Sequence, residues 1–275
     1  MKYEKIALPQ EDGDVFLEAY IADRIGDFTR KALLVIPGGG YGSVCSEREG
    51  EPIAMAFLPH GYNAFVLHYT VGRKKPFPAQ LIQATKAIKH IKDHAEEYNI
   101  NPDELFVVGF SAGGHLAAST GTLWKMEEIY QAVDMPYAYN KPRGVMLMYP
   151  VISPAYQHHI ASFCNLWCTD TPSAEQLDAA AIEKHVDADS SPAFVLHTAN
   201  DQTVDVKNAL TLAEAYSTAG VPYELHIYPD APHGVALGNR ITECHNPKYN
   251  NPAIAKWVEN AAYWADSLCN SRANE

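Results

Sequence analysis

The chain predicts an α/β fold, a mostly parallel central sheet with helices on both faces, and three observations carry that expectation. Short apolar runs of strand length recur along it, at 32–36, 64–69, 105–109, 144–149, 193–198 and 223–228. Segments whose apolar residues recur at gaps of three and four stand between several of them, most clearly at 79–98 and 206–219. Most of the runs empty into turns rich in glycine, proline or asparagine. Strands buried on both faces and alternating with helices read this way. At 275 residues, 47% hydrophobic and 20% charged, the chain has material for one sizeable core, so a single domain over residues 1–275 is expected.

The charge balance narrows the partners. Lys and Arg number 21 against 33 Asp and Glu, a net charge of −12, with no basic cluster long enough to track phosphates. Nucleic acid and anionic membranes are therefore excluded as partners. The first ten residues include Lys2, Glu4, Lys5 and Pro9 where a secretory leader needs an unbroken apolar run, and no segment is apolar enough to span a bilayer; a cytoplasmic protein is expected. The five cysteines are odd in number and lack Cys-x-x-Cys spacing, so Cys164 and Cys168 read as reduced thiols. His158 and His159 have no metal spacing, and His90 and His94 lack a third ligand and read as a solvated helix face. No metal and no cofactor are expected.

In chain order, residues 13–21 alternate as a partly solvated strand, and Ala32 to Ile36 form a buried one that stops at Pro37. A short helix from Gly50 to Leu58 carries Ile53, Ala54, Ala56 and Phe57, and Ala64 to Tyr69 is the next strand. The helix over 79–98 buries Leu81, Ala84, Ile88, Ile91, Ala95 and Tyr98 and wets Lys86, Lys89, Lys92 and Glu96. Asn101-Pro102-Asp103 turns the chain into a strand from Leu105 to Gly109, and Gly144 to Tyr149 is another. Residues 151–191 show no strong periodicity, mix aromatics with a helical piece from Ala174 to His185, and are expected near the active site. After the strand Ala193 to Thr198, a helix with Val206, Leu210, Ala213 and Tyr216 on its buried face stops at Gly220. A strand from Tyr223 to Tyr228 and a final helix near 253–268 complete the pattern.

Four turns at the carboxyl ends of strands hold residue types that make one chemistry. Pro37-Gly38-Gly39-Gly40 lets backbone N–H groups approach a developing oxyanion closely, and it lacks the Gly-Lys-Ser/Thr of a phosphate loop. Gly109-Phe110-Ser111-Ala112-Gly113 follows a strand and opens a helix, the context of a nucleophile elbow. Asp201 and His233 lie just past two later strands. A serine hydroxyl becomes a nucleophile when an imidazole takes its proton, and a carboxylate orients that imidazole. Ser111, Asp201 and His233 are therefore the expected catalytic residues, with Gly39, Gly40 and Ala112 as oxyanion donors. Asp205, Asp187 and Asp189 remain alternatives for the acid, and His226 and His245 for the base. Asp230 reads as a turn residue.

With these residues in place, the chain resembles the α/β-hydrolase fold esterases and lipases, closest to bacterial carbohydrate esterases of the acetyl xylan type. The likeness rests on Ile36-Pro37-Gly38-Gly39-Gly40-Tyr41, Glu49-Gly50-Glu51-Pro52, Gly109 to Ala117, Asp201-Gln202-Thr203-Val204 and Pro232-His233-Gly234. It implies an α/β-hydrolase fold in which 151–191 is a small insertion after the sixth strand, and an acyl-enzyme route to hydrolysis of short-chain esters. The implied partner is a small-molecule ester, an acetylated oligosaccharide such as a xylooligosaccharide. Pro37 stands where many related lipases have histidine, which leaves open whether Gly39 and Gly40 or the pair one residue later supply amides. A prolyl-oligopeptidase-like peptidase and a short-chain carboxylesterase with a non-sugar substrate share the same residues and stay open as alternatives.

Overall fold

A computed structural model describes residues 1–11, 13–156 and 159–270; His158 and residues 271–275 lie outside that set. Among the described residues one sheet has the order β1-β2-β4-β3-β5-β6-β7-β8. Strands β3 (Arg30–Ile36), β4 (Tyr62–His68), β5 (Ile100–Phe110), β6 (Gly144–Met148), β7 (Ala193–Thr198) and β8 (Tyr223–Tyr228) run parallel. Strands β1 (Lys2–Ala7) and β2 (Phe16–Ile21) add an antiparallel edge.

Alternation along the strands divides the core in two. Leu34, Ile36 and Val107 face one layer, built with the helices α3 (Ala79–Asp93), α4 (Ala112–Thr122) and α8 (Lys207–Ala219). Leu33, Val35, Phe106 and Val108 face the other, against α2 (Glu51–Phe57) and α9 (Trp257–Asn270). Each such side chain withdrawn fully from water contributes roughly 1.5–3 kcal/mol, so the parallel strands need no alternation with polar residues. The helix α1 (Ser46–Glu49) follows the glycine loop, α5 (Glu127–Ala132) precedes β6, and α6 (Ile160–Leu166) and α7 (Ala174–Ala179) lie within 151–191. No helix among the described residues is long and apolar enough to cross a membrane.

Several local expectations need correction. The helix begun at Ala79 ends at Asp93 and gives way to turns, in which the Ala95 and Asn99 amides pair three residues back, with Lys92 and Glu96, and Asn99 turns to φ 50°. Tyr98 stays packed there, its carbonyl accepting from Asn63 Nδ2 at 2.7 Å and its hydroxyl meeting His90 Nε2 at 2.9 Å. His90 and His94 stack at 4.1 Å and His90 is half-buried, so the pair is packed rather than freely solvated; burial pushes the His90 pKa down. The turn at Asn101 is a register shift inside β5, which already pairs Ile100 with Arg30. On α8 the buried face carries Asn208, Ala209 and Leu212 with Ala213 and Tyr216, whereas Leu210 is exposed. Asn208 goes inward because its Oδ1 accepts the amides of Ile152 and Ser153 at 2.9 and 3.0 Å. The strand β1 and the helices α1, α5 and α6 have no counterpart in the sequence reading.

Candidate active site

The elbow is a consequence of crowding. Ser111 has φ 53° and ψ −119°, a conformation that costs a non-glycine residue about 1–3 kcal/mol and needs surrounding structure to impose it. That structure is backbone: the Ser111 amide donates to the Met148 carbonyl, and the Ser111 carbonyl accepts from Val151 and His115. A Cβ on Gly109 would sit 2.5 Å from Ala117 Cβ, and one on Gly113 would overlap the carbonyl oxygens of Ile36 and Pro37. The two glycines therefore let α4 start directly against β3 and β5, with Ser111 at the turn between β5 and α4.

Ser111, His233 and Asp201 form one hydrogen-bonded line. Ser111 Oγ lies 2.8 Å from His233 Nε2, and His233 Nδ1 lies 2.7 Å from Asp201 Oδ2. A carboxylate only accepts, so Nδ1 carries the proton and Nε2 is free to accept from the serine. Asp201 is enclosed on its other side, where Oδ1 accepts the amides of Thr203 and Val204 at 2.8 and 3.0 Å. Burial works against its ionisation, but the His233 bond and charge and the two amides outweigh it, and its carboxyl stays below the ordinary range.

The other candidates are engaged elsewhere. Asp205 accepts the Lys207 amide at the start of α8, Asp187 and Asp189 pair with Lys125, and Asp230 bonds Asn200. His226 pairs with Glu224 at 2.6 Å, and His245 is exposed, in a loop.

A cavity of about 310 Å³ opens beside Ser111 and His233, walled by Gly39, Gly40, His159 and Ser162. Gly39 at φ 125° and Gly40 at φ 61° turn the glycine loop along it, a backbone path that glycine takes without strain. Ala112 is the first residue of α4, and its amide has no acceptor within the helix. The Gly38 amide, in contrast, is taken by Glu49 Oε2 at 2.9 Å. Helix α6 borders the loop, with Asn165 Nδ2 donating to the Gly40 carbonyl at 2.9 Å.

Behind the loop, His115 Nε2 donates to the Ala180 carbonyl and Nδ1 accepts from the Tyr41 hydroxyl, both at 2.8 Å. Burial holds its pKa down at about 4, so the ring is neutral. A second cleft of about 440 Å³ shares His233 and Thr203 with the first and is lined by Asn200, Gln202, Asp230 and Asn250.

Sequence reasoning assigned no role to Arg48, Glu49 or Tyr149. Glu49 stood in one of the matching segments, but nothing local distinguishes a buried glutamate from a wet one. Tyr149 ends a strand, and its partners are about a hundred residues distant.

The sheet order, the crossover helices and a serine elbow at the carboxyl end of β5 make this an α/β-hydrolase, and solved structures of that fold superpose on nearly its whole length. Within the class, the chain belongs to the BD-FAE family, which it matches over residues 17–216; residues 175–267 also match the Dienelactone hydrolase family. Among curated relatives it is 34% identical over 218 residues to the endo-1,4-beta-xylanase B of Butyrivibrio fibrisolvens, covering 78% of this chain and 34% of that protein. It is 26% identical over 216 residues to the acetylxylan esterase of Xylanibacter ruminicola, covering 76% of this chain and 42% of the relative. The chain thus spans well under half the length of these two relatives. A solved acetyl ester-xyloside bifunctional hydrolase from Caldicellulosiruptor lactoaceticus is 30% identical with a TM-score of 0.79, over 96% of each chain.

Proposed function

We propose that this protein is a serine carboxylesterase that removes short acyl groups, acetyl foremost, from carbohydrate esters such as acetylated xylooligosaccharides. The observation that carries the reading is the line from Ser111 through His233 to the buried Asp201, opening on a cavity walled by Gly39 and Gly40. In this mechanism Ser111 Oγ attacks the ester carbonyl while its proton passes to His233 Nε2. Asp201 stabilises the imidazolium through Nδ1. The tetrahedral oxyanion is held by the amide of Ala112 with those of Gly39 and Gly40, where each donor supplies on the order of 3 kcal/mol. Collapse breaks the bond to the alcohol, which leaves with the proton from Nε2. Water then attacks the acyl-serine with His233 as base, and Ser111 is regenerated.

The substrate class is supported by the names of the relatives and by the two adjoining spaces. The cavity at Ser111 suits a small acyl group. The cleft that shares His233 and Thr203 with it offers carboxamides and a carboxylate to a hydroxyl-rich alcohol. The test is a screen of acetyl, butyryl and feruloyl esters together with acetylated xylooligosaccharides. Acetylated sugars are expected to give the highest kcat/KM, and Ser111→Ala to lower kcat by about a million-fold with the fold retained. Ester hydrolysis that survives Ser111→Ala would refute the mechanism, and a preference for non-sugar acetates would refute the substrate.

A further inference from the structure

Helix α1 carries a buried acid that the proton relay above does not use. Glu49 is 5% exposed, and each carboxylate oxygen receives one donor: the Gly38 amide at 2.9 Å and the Tyr149 hydroxyl at 2.7 Å. The Tyr149 oxygen in turn accepts the Ala236 amide at 3.0 Å. Because the Ala236 N–H can only donate, the tyrosine proton must point at Glu49, so the network is complete only when Glu49 is a carboxylate. Its ends matter. Gly38 begins the loop that walls the cavity, Ala236 lies three residues beyond His233, and the Tyr149 ring packs edge-on against the His233 ring at 5.0 Å. Arg48, the neighbouring residue, grips the same histidine loop from outside, donating to the carbonyls of Gly234 at 2.6 Å and Thr242 at 3.1 Å.

We infer that Glu49 is a positioning residue, whose carboxylate keeps the glycine loop and the His233 loop in register and gives the imidazolium a second anionic neighbour besides Asp201. The inference rests on the esterase reading above. Its electrostatic part follows from placement: Glu49 and His233 line the same cavity, and the Tyr149 ring that packs 5.0 Å from the imidazole carries the hydroxyl bonded to Glu49 Oε1. The other groups around His233 are Asp201 from the acid loop, His197 from β7, Tyr149 from the end of β6, Glu47 and Arg48 from α1, and His159 across the cavity. Tyr69 and Cys45 face Glu49, and burial raises the pKa of both, which keeps them neutral. Burial also raises the pKa of Glu49 itself, opposed by the Tyr149 and Gly38 bonds and by the nearby His233 and Arg48.

The experiment measures kcat and KM for an aryl acetate as a function of pH. Glu49→Gln replaces one acceptor with an NH₂ facing a donor and removes the charge. It is expected to lower kcat by about 10- to 100-fold, less than the roughly 100- to 1,000-fold loss of an oxyanion donor removed outright, with KM nearly unchanged. It also moves the acid limb of kcat/KM to lower pH, since an imidazolium with one anion fewer beside it loses its proton more readily. Tyr149→Phe keeps the charge but strips a donor from the carboxylate, which then protonates at higher pH, so the acid limb moves up. An acid limb unmoved in Glu49→Gln, or wild-type kcat in both variants, overturns the inference. Should Glu49→Gln fail to fold, an unmoved limb in Tyr149→Phe overturns it alone. Ser111→Ala assayed alongside separates the two readings: if it retains activity, the esterase mechanism fails.

Discussion

The serine elbow and the histidine loop deliver neighbouring parts of one site, but they are held by different forces. Around Ser111 the constraint is steric. Gly109 and Gly113 leave no room for a side chain, and backbone hydrogen bonds to Met148, Val151 and His115 close the turn. Around His233 the constraint is polar. Arg48 binds Gly234 and Thr242, Tyr149 binds Ala236, the Thr198 hydroxyl binds Ala231, and Asp201 binds the ring itself. Close packing admits almost no graded loosening, whereas a hydrogen bond can be lost singly at about 0.5–1.5 kcal/mol, or 1.5–3 where a charge is involved. The elbow should thus break outright under substitution and the histidine loop should loosen by degrees.

Changes at the two regions test this contrast. The largest effect short of removing the serine is expected for Asp201→Asn, which presents the imidazole with the wrong hydrogen-bonding partner and lowers kcat by about 10,000-fold for a stability loss of no more than about 1.5–3 kcal/mol. Asp205→Asn, whose carboxylate accepts the Lys207 amide at the start of α8 and not the His233 ring, should stay within a few-fold of wild type. An Asp205 effect equal to that of Asp201 would remove the polar half of the contrast.

A pair of substitutions then sets steric against polar directly. Gly113→Ala forces a methyl into the carbonyls of Ile36 and Pro37 and should cost on the order of 3 kcal/mol, read as a lower urea midpoint with activity lost alongside. Arg48→Ala should leave the unfolding free energy within about 1–2 kcal/mol of wild type while lowering kcat by roughly ten-fold, since only the loop carrying His233 gains freedom. Equal stability losses in the two proteins would show that the distinction is wrong.

Behind the glycine loop the expected effect is on stability alone and emerges only as the pH falls. His115 stays neutral in the folded protein down to about pH 4, whereas the unfolded chain takes up that proton near 6.5. Its contribution is therefore complete above pH 6.5 and declines as the pH falls toward 4, by about 3 kcal/mol in all. Urea unfolding of wild type and His115→Gln at neutral and acid pH checks this. The variant should show the shallower decline, and parallel curves would contradict the neutral, buried ring.

The legible and illegible parts of the molecule divide along the same line. The elbow, the glycine loop and the strands that feed them announce themselves within a dozen residues, because apolar runs and small residues act on their immediate neighbours. The strand β1 escaped because its burial pattern is that of an exposed edge, and α8 was read with Leu210 inward because an apolar count cannot anticipate Asn208 serving the amides of Ile152 and Ser153. Ser111, Asp201 and His233 were nameable from chain order, but their distances were not.

What the sequence determined by itself is the class of fold, the family likeness and the serine at the elbow, since each follows from short-range pattern. The tertiary structure alone decided which carboxylate meets His233, which glycine amide Glu49 occupies, and how Arg48 and Tyr149 hold a loop that lies 186 and 87 residues further along the chain. Those contacts join polar groups remote in sequence, and a hydrogen bond leaves no periodicity for a sequence to display until folding brings its two ends within 3 Å.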